Sequence, residues 1–363
     1  MMLRSLLTAL AALTLLLLPQ AGRADSTGPA TTGPASIGAD SFRAATGTGW
    51  QEAVVHVADP EPFVAFLVRD GGWQEIGRGD IEPSVLQAWG LPDTARGTEI
   101  LLGNPGDDKG WIRLVTLSGV ASEPIRPAAQ AWDPGGWYSI MTRSRDAMQL
   151  YRAAINRGWT AANMPQEFTF GGVRLRNVVI RGPDGVNFAV YERLEPLLEG
   201  WPTLRGLSRG FNAMTMVQDF EAERRFFQDG LGFGAWFIGL YEDTQPVATN
   251  FGLPVNFATQ VPRRSGILWE APGEDGRVEL MRFEGLEGVD QSARASFANR
   301  GITSLRIPVA SLDAWVARAR AAGITVHVAG TPVSIPPYGP VRHAWVRSPN
   351  GCLIEAFEQV TAP

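Results

Sequence analysis

Short runs that alternate apolar and polar side chains, the signature of half-buried strands, recur along this chain beside a few segments with helical spacing. Four groups of such elements repeat in the same order. The first has a strand from Glu52 to Val57, a helix around Phe63 to Arg69, the stop Gly71-Gly72-Trp73, and strands Glu99 to Leu102 and Trp111 to Leu117. The second has strand Trp137 to Thr142 and a helix from Arg145 to Asn156, with Ala147, Met148, Tyr151 and Ile155 on one face. Arg157-Gly158-Trp159 ends that helix, and Gly182-Pro183-Asp184-Gly185 joins strands Arg174 to Ile180 and Asn187 to Tyr191. The third has strand Asn212 to Val217, helix Phe220 to Gln228, the stop Gly230-Leu231-Gly232-Phe233, and strand Arg277 to Phe283. The fourth has strand Thr303 to Val309, helix Leu312 to Ala322, strand Ile324 to Val328, and a hairpin from Val341 to Phe357 turned by Ser348-Pro349-Asn350-Gly351. Pro fixes φ there, and Asn and Gly tolerate positive φ.

A period of two fixes which side chains share a face. Leu305, Ile307 and Val309 form an apolar face suited to a helix, opposite Ser304, Arg306 and Pro308. Ala213, Thr215 and Val217 oppose Asn212, Met214 and Met216. Leu353, Glu355 and Phe357 share one face of the last strand, where a carboxylate among apolar neighbours suggests either a solvated surface or a ligand-binding wall. Arg193 to Gly210, with Pro196, Gly200, Pro202 and Gly206, reads as a connection between two halves.

The stretch S-P-N-G-C-L-I-E-A-F-E at Ser348 to Glu358 resembles the closing hairpin of a vicinal oxygen chelate module, as in glyoxalases, extradiol dioxygenases and bleomycin-resistance proteins. F-F-Q-D-G-L-G-F at Phe226 to Phe233 is a second match. The resemblance implies an α+β fold of four β-α-β-β-β modules that pair into two cupped mixed sheets. It implies an N-terminal domain over 49–194, a linker over 195–210 and a C-terminal domain over 211–360. Each domain would pair two consecutive modules.

The resemblance also implies metal-ligand positions on the first and last strands of each module. In the first two modules they fall on Glu52, Arg113, Ser139 and Ala189; in the last two, on Asn212, Glu279, Ser304 and Glu355. Iron, zinc and nickel sites of this family use histidine and carboxylate, and both histidine positions are absent. No metal and no cofactor is therefore expected, although Glu279 and Glu355 could share a weakly bound Ca²⁺ or Mg²⁺. Glu279, Glu355 and His343 are the candidate catalytic residues. Asn212, Ser304, Arg306, Met214, Met281, Phe357 and Tyr338 are candidate substrate contacts, with Tyr338 at the tip of a Pro-rich flap, Thr331 to Pro340. His56 is either a displaced ligand or base, or a structural histidine, and His327 reads as a surface residue.

Composition adds limits. Met1 to Ala24 has Arg4, an apolar run from Leu6 to Leu18, and small residues before Asp25, which reads as a secretory signal peptide. Residues 25–48, rich in Thr, Gly and Pro, read as a flexible lead-in, with structure starting near Trp50. The expectation is an exported protein, periplasmic or secreted, with no membrane anchor after processing. A net charge of −5 argues against a nucleic-acid surface. Lys109 is the only lysine, which leaves little room for Schiff-base chemistry, and the lone Cys352 excludes an intrachain disulfide. Two functions stay open for a small, partly apolar ligand. One is a metal-independent lyase or isomerase with Glu279 and Glu355 as acid and base. The other is sequestration, as in the bleomycin-resistance branch. A metal-dependent lyase or dioxygenase ranks below both.

Overall fold

The structure, a computed structural model, describes residues 42–273 and 275–360. The stretch expected to be a signal peptide, and most of the expected lead-in, lie outside the described residues. Module one comprises β1 (Glu52–His56), α1 (Glu61–Val64) continued by a π-helical turn (Ala65–Asp70), β2 (Gln74–Asp80), α2 (Pro83–Ala88), β3 (Arg96–Gly103) and β4 (Trp111–Ser118). Module two comprises β5 (Trp137–Ser144), α3 (Ala147–Asn156), β6 (Thr160–Ala161), β7 (Gln166–Phe170), β8 (Val173–Arg181) and β9 (Asn187–Glu195). Module three comprises β10 (Asn212–Met216), α4 (Phe220–Arg225) with a π-helical turn (Phe226–Gly230), β11 (Gly234–Tyr241), β12 (Arg263–Trp269) and β13 (Arg277–Phe283). Module four comprises β14 (Gly301–Pro308), α5 (Leu312–Ala321), β15 (Val326–Val328), β16 (Val333–Ile335), β17 (Gly339–Arg347) and β18 (Leu353–Gln359).

Helix starts follow their caps. The side chains of Asp146, Asp219 and Ser311 each accept a backbone N–H in the first turn of α3, α4 and α5. Gly351, at φ +83°, makes the turn between β17 and β18 in a conformation that suits glycine.

The strands form two mixed sheets of nine, which fits the expected α+β class. The modules pair differently from the expectation. One sheet runs β15-β17-β18-β14-β1-β4-β3-β2 and joins modules one and four. The other runs β11-β12-β13-β10-β5-β9-β8-β6 and joins modules two and three. The junctions are antiparallel pairs of first strands, β1 with β14 (Glu52 opposite Arg306) and β10 with β5 (Asn212 opposite Met141). Consecutive modules thus lie in different sheets. The crossovers from one to two and from three to four run side by side, where Arg300 N donates to Glu123 O at 2.9 Å and Ile125 N to Arg300 O at 2.7 Å.

The face assignments hold. Ala213, Val217, Leu305, Ile307 and Val309 join one large core with Trp137, Phe188, Phe66 and the helices of both sheets. The opposite faces form two separate cups, each with its own apolar cluster. Residues 42–48 are docked rather than free. Phe42 packs on Trp111 with ring centroids 4.7 Å apart, and Gln359 accepts from Ala44 N at 2.9 Å and donates to Phe42 O at 2.7 Å.

Candidate functional site

The pairing divides the candidate residues between two cups. Glu355, His343, Ser304, Arg306, Phe357 and Tyr338 belong to the cup of modules one and four, here cup one. Glu279, Asn212, Met214 and Met281 belong to the cup of modules two and three, cup two. Glu279 and Glu355 therefore do not share a cavity, and neither an acid–base pair nor a shared Ca²⁺ or Mg²⁺ can form between them. The expectation failed because it paired neighbours in sequence.

Cup one is filled by its own side chains. Glu52 and Glu355 are both 0% exposed. Arg113 grips Glu52 with two bonds, at 2.7 and 3.0 Å, and reaches Glu99 at 2.7 Å. Arg306 bridges Glu52 at 2.7 Å and Glu355 at 3.1 Å. Glu355 also meets His343 Nε2 and Trp89 Nε1, each at 2.9 Å, and accepts from Ser304 Oγ. Burial alone would raise both carboxyls. Arg113 and Arg306 around Glu52, and Arg306, His343 and Ser304 around Glu355, outweigh it and hold both below the usual carboxylate range. Tyr338 is not an exposed flap tip. It is buried, donates to Glu52 Oε2 at 2.7 Å, and packs on Phe357 at 4.7 Å. Arg306 and His343 thus serve a sealed polar network rather than a substrate.

His56 lies buried at the sheet end, where burial pushes its imidazole down to about 4 and its Nδ1 has no hydrogen-bond partner among the described residues. His327 is exposed and stacks on Trp345 at 3.8 Å.

Cup two holds a cavity of about 440 Å³, within the size range of small-molecule sites. Its floor is the inward face of β5, β10, β13 and β12. Asn212 lies opposite Arg277 and Met141, and Glu279 lies opposite Met214 and Ile267. Glu279 is 9% exposed, and among the described residues Ser265 Oγ, at 3.2 Å, is its hydrogen-bond partner. Burial pushes its carboxyl up to about 7, against the smaller opposing effect of Ser265. Asn212 Oδ1 and Ser139 Oγ are buried without a hydrogen-bond partner among the described residues. Unmet buried polar atoms are costly, so Asn212, which lines the cavity, invites a ligand group.

The walls are aromatic. Phe168 and Phe170 enter from β7, Trp236 and Phe237 from β11, Phe251 from the loop after β11, and Tyr191 and Phe211 from the floor's edge. Guanidiniums stack among them, with Arg143 over Phe211 at 4.4 Å, Arg263 over Tyr241 at 4.6 Å and Arg277 over Trp236 at 4.5 Å. Sequence reasoning missed these wall residues. The alternation in Gln166-Glu167-Phe168-Thr169-Phe170 was the available signal, placing both phenylalanines on one face.

No protein-family model matches the chain, and no curated protein matches it. Solved structures do. Glyoxalase I from Zea mays is 15% identical with a TM-score of 0.57, over 86% of this chain and 92% of the maize chain. A putative dioxygenase from Bacillus subtilis is 12% identical with a TM-score of 0.52, over 88% of this chain and 87% of that one.

The fold is that of the vicinal oxygen chelate superfamily. The metal-ligand positions expected from the resemblance lie on each first and last strand. Regrouped by the observed pairing, cup one offers Glu52, Arg113, Ser304 and Glu355, with two guanidiniums already neutralising the carboxylates. Cup two offers Ser139, Ala189, Asn212 and Glu279, a single carboxyl beside a hydroxyl, an amide and a methyl. Neither set offers the imidazole or thiolate donors that a transition metal prefers.

Proposed function

We propose that this protein binds a small, partly aromatic molecule in cup two, with Glu279 presenting a carboxyl that is largely protonated below about pH 7. The cavity of about 440 Å³ around that carboxyl carries the reading. Its aromatic walls supply apolar contact, while Glu279 and Asn212 supply polar groups that orient a ligand. A protonated carboxyl both donates and accepts, so it suits a carbonyl or amide group on the ligand. The N-terminal sequence supports an exported protein, so the ligand would be met outside the cytoplasm.

Native mass spectrometry of protein purified from its own host tests this reading. Wild type should release a small molecule on denaturation. Ser265→Trp, which fills the cavity beside Glu279, should not. A wild type that retains nothing, or equal retention in both proteins, would sink it.

A second reading rests on the position of the Glu279 pKa near neutrality, where acid and base forms coexist. Glu279 alone would then move a proton at a carbon beside a carbonyl, with the Asn212 amide stabilising the oxyanion. Deuterium exchange into carbonyl ligands separates the two. Exchange that disappears in Glu279→Gln with binding intact favours catalysis, and absent exchange in both favours sequestration.

A further inference from the structure

A strand at the end of a sheet exposes unpaired backbone groups, and soluble proteins blunt such edges with charge or brevity. Three of the four sheet ends here follow that rule. Strand β15 has three residues and β6 has two, with neighbouring β7 carrying Glu167 in ion pairs with Arg174 and Arg176. Strand β2 is longer but carries Glu75, Arg78 and Asp80.

Strand β11 breaks the rule. It has eight residues, Gly-Ala-Trp-Phe-Ile-Gly-Leu-Tyr, with no charge. Among the described residues its one strand partner is β12. Ile238 is 45% exposed and Leu240 49% exposed. The contrast with β2 is position by position. Both strands follow a π-helical turn, and both carry a register shift at the same place, between Glu75 and Gly77 and between Ala235 and Phe237. Counted from that shift, Ile238 and Leu240 occupy the places of Arg78 and Asp80. The same structural position is hydrated in one module and apolar in the other.

We propose that β11 is a dimerisation edge, paired antiparallel with β11 of a second copy of this chain. A second copy is favoured because the strand has no charge to meet its like across a two-fold axis. Opposed residues on antiparallel strands share a face, so a symmetric register is centred on a residue. Centring on Gly239 sets Ile238 against Leu240 of the second copy, twice, on the outer face. The same register sets Phe237 against Tyr241 of the second copy on the cup face. Such apolar and aromatic cross-strand pairs are what stabilises a sheet. Phe237 and Tyr241 also line the cup-two cavity, so the interface would brace one of its walls.

Sedimentation equilibrium and light scattering at micromolar concentrations test the proposal. Wild type should be a dimer. The double variant Ile238→Lys, Leu240→Lys should dissociate at least about a hundredfold more readily. Both side chains are exposed, so the double variant should keep the far-ultraviolet circular dichroism of the wild type. Ile155→Lys, at an exposed site on α3, should remain dimeric. Amide exchange of β11 should be slow in wild type and fast in the double variant. A monomeric wild type, or a dimer of unchanged affinity in the double variant, would overturn the proposal. Slow β11 exchange in a monomer would also overturn it, assigning the edge to another segment of the same chain.

Discussion

Replacing Glu279 with Gln should stabilise this protein, and by an amount that depends on pH. The substitution keeps the side chain's shape and an acceptor for Ser265, while removing the ionisable group. In the folded protein the carboxyl is pushed from its ordinary value of 4.5 up to about 7. The folded state therefore binds a proton more tightly than the unfolded chain does. Below pH 4.5 both states are protonated and Glu279 costs nothing. Between pH 4.5 and 7 the unfolded chain ionises first, and wild-type stability falls by up to about 1.4 kcal/mol per pH unit. Above pH 7 the loss levels off at about 3 kcal/mol. Urea unfolding of both proteins from pH 4 to pH 8.5 measures it. Glu223, on α4, is also pushed up to about 7 by burial, while it accepts from Asn350 N at 2.9 Å. That contribution is common to both proteins and cancels in the difference. The stability gap should open by about 3 kcal/mol between pH 4 and pH 8. A gap that stays constant with pH would refute the claim that Glu279 is held protonated by its cavity.

Arg306→Ala should destabilise the fold by about 3–5 kcal/mol, because it leaves Glu52 and Glu355 buried with too little compensating charge; chemical unfolding measures it, with cup-two ligand retention unchanged. Because Glu52 and Glu355 are held below the usual carboxylate range, their network contributes stability above pH 4.5 that is lost as pH falls through the depressed values. Acid titration followed by circular dichroism should show a shallower stability loss in Glu355→Gln than in wild type. Mass spectrometry of the protein recovered from its host should find a new N-terminus near Asp25, and retention of Met1 would contradict export.

Much of the local architecture was legible in the sequence. Alternation and turn chemistry located the first and last strands of each module, because a strand's period and a Gly-containing turn are properties of a few adjacent residues. The positions that the resemblance implied do share faces: Glu52, Arg113, Ser304 and Glu355 converge, as do Ser139, Asn212 and Glu279. The short strands β6, β7 and β16 were not legible, since two to five residues carry little periodicity.

What the sequence could not supply was partnership. A period of two tells which side chains share a face, yet β1, β5, β10 and β14 are similarly patterned, and nothing local says which first strand pairs with which. Long-range hydrogen bonding decided that β1 meets β14 and β5 meets β10. That choice put Glu355 beside Arg306 and His343 in a sealed network and left Glu279 facing an open cavity. The chemistry at each carboxyl follows from the neighbours it acquires. Glu355 gains guanidinium and imidazole and stays ionised; Glu279 gains methionine, isoleucine and one serine and holds its proton. Residue type and strand face were therefore written in the chain, while charge state, burial and cavity arose from strand pairing between modules far apart in sequence.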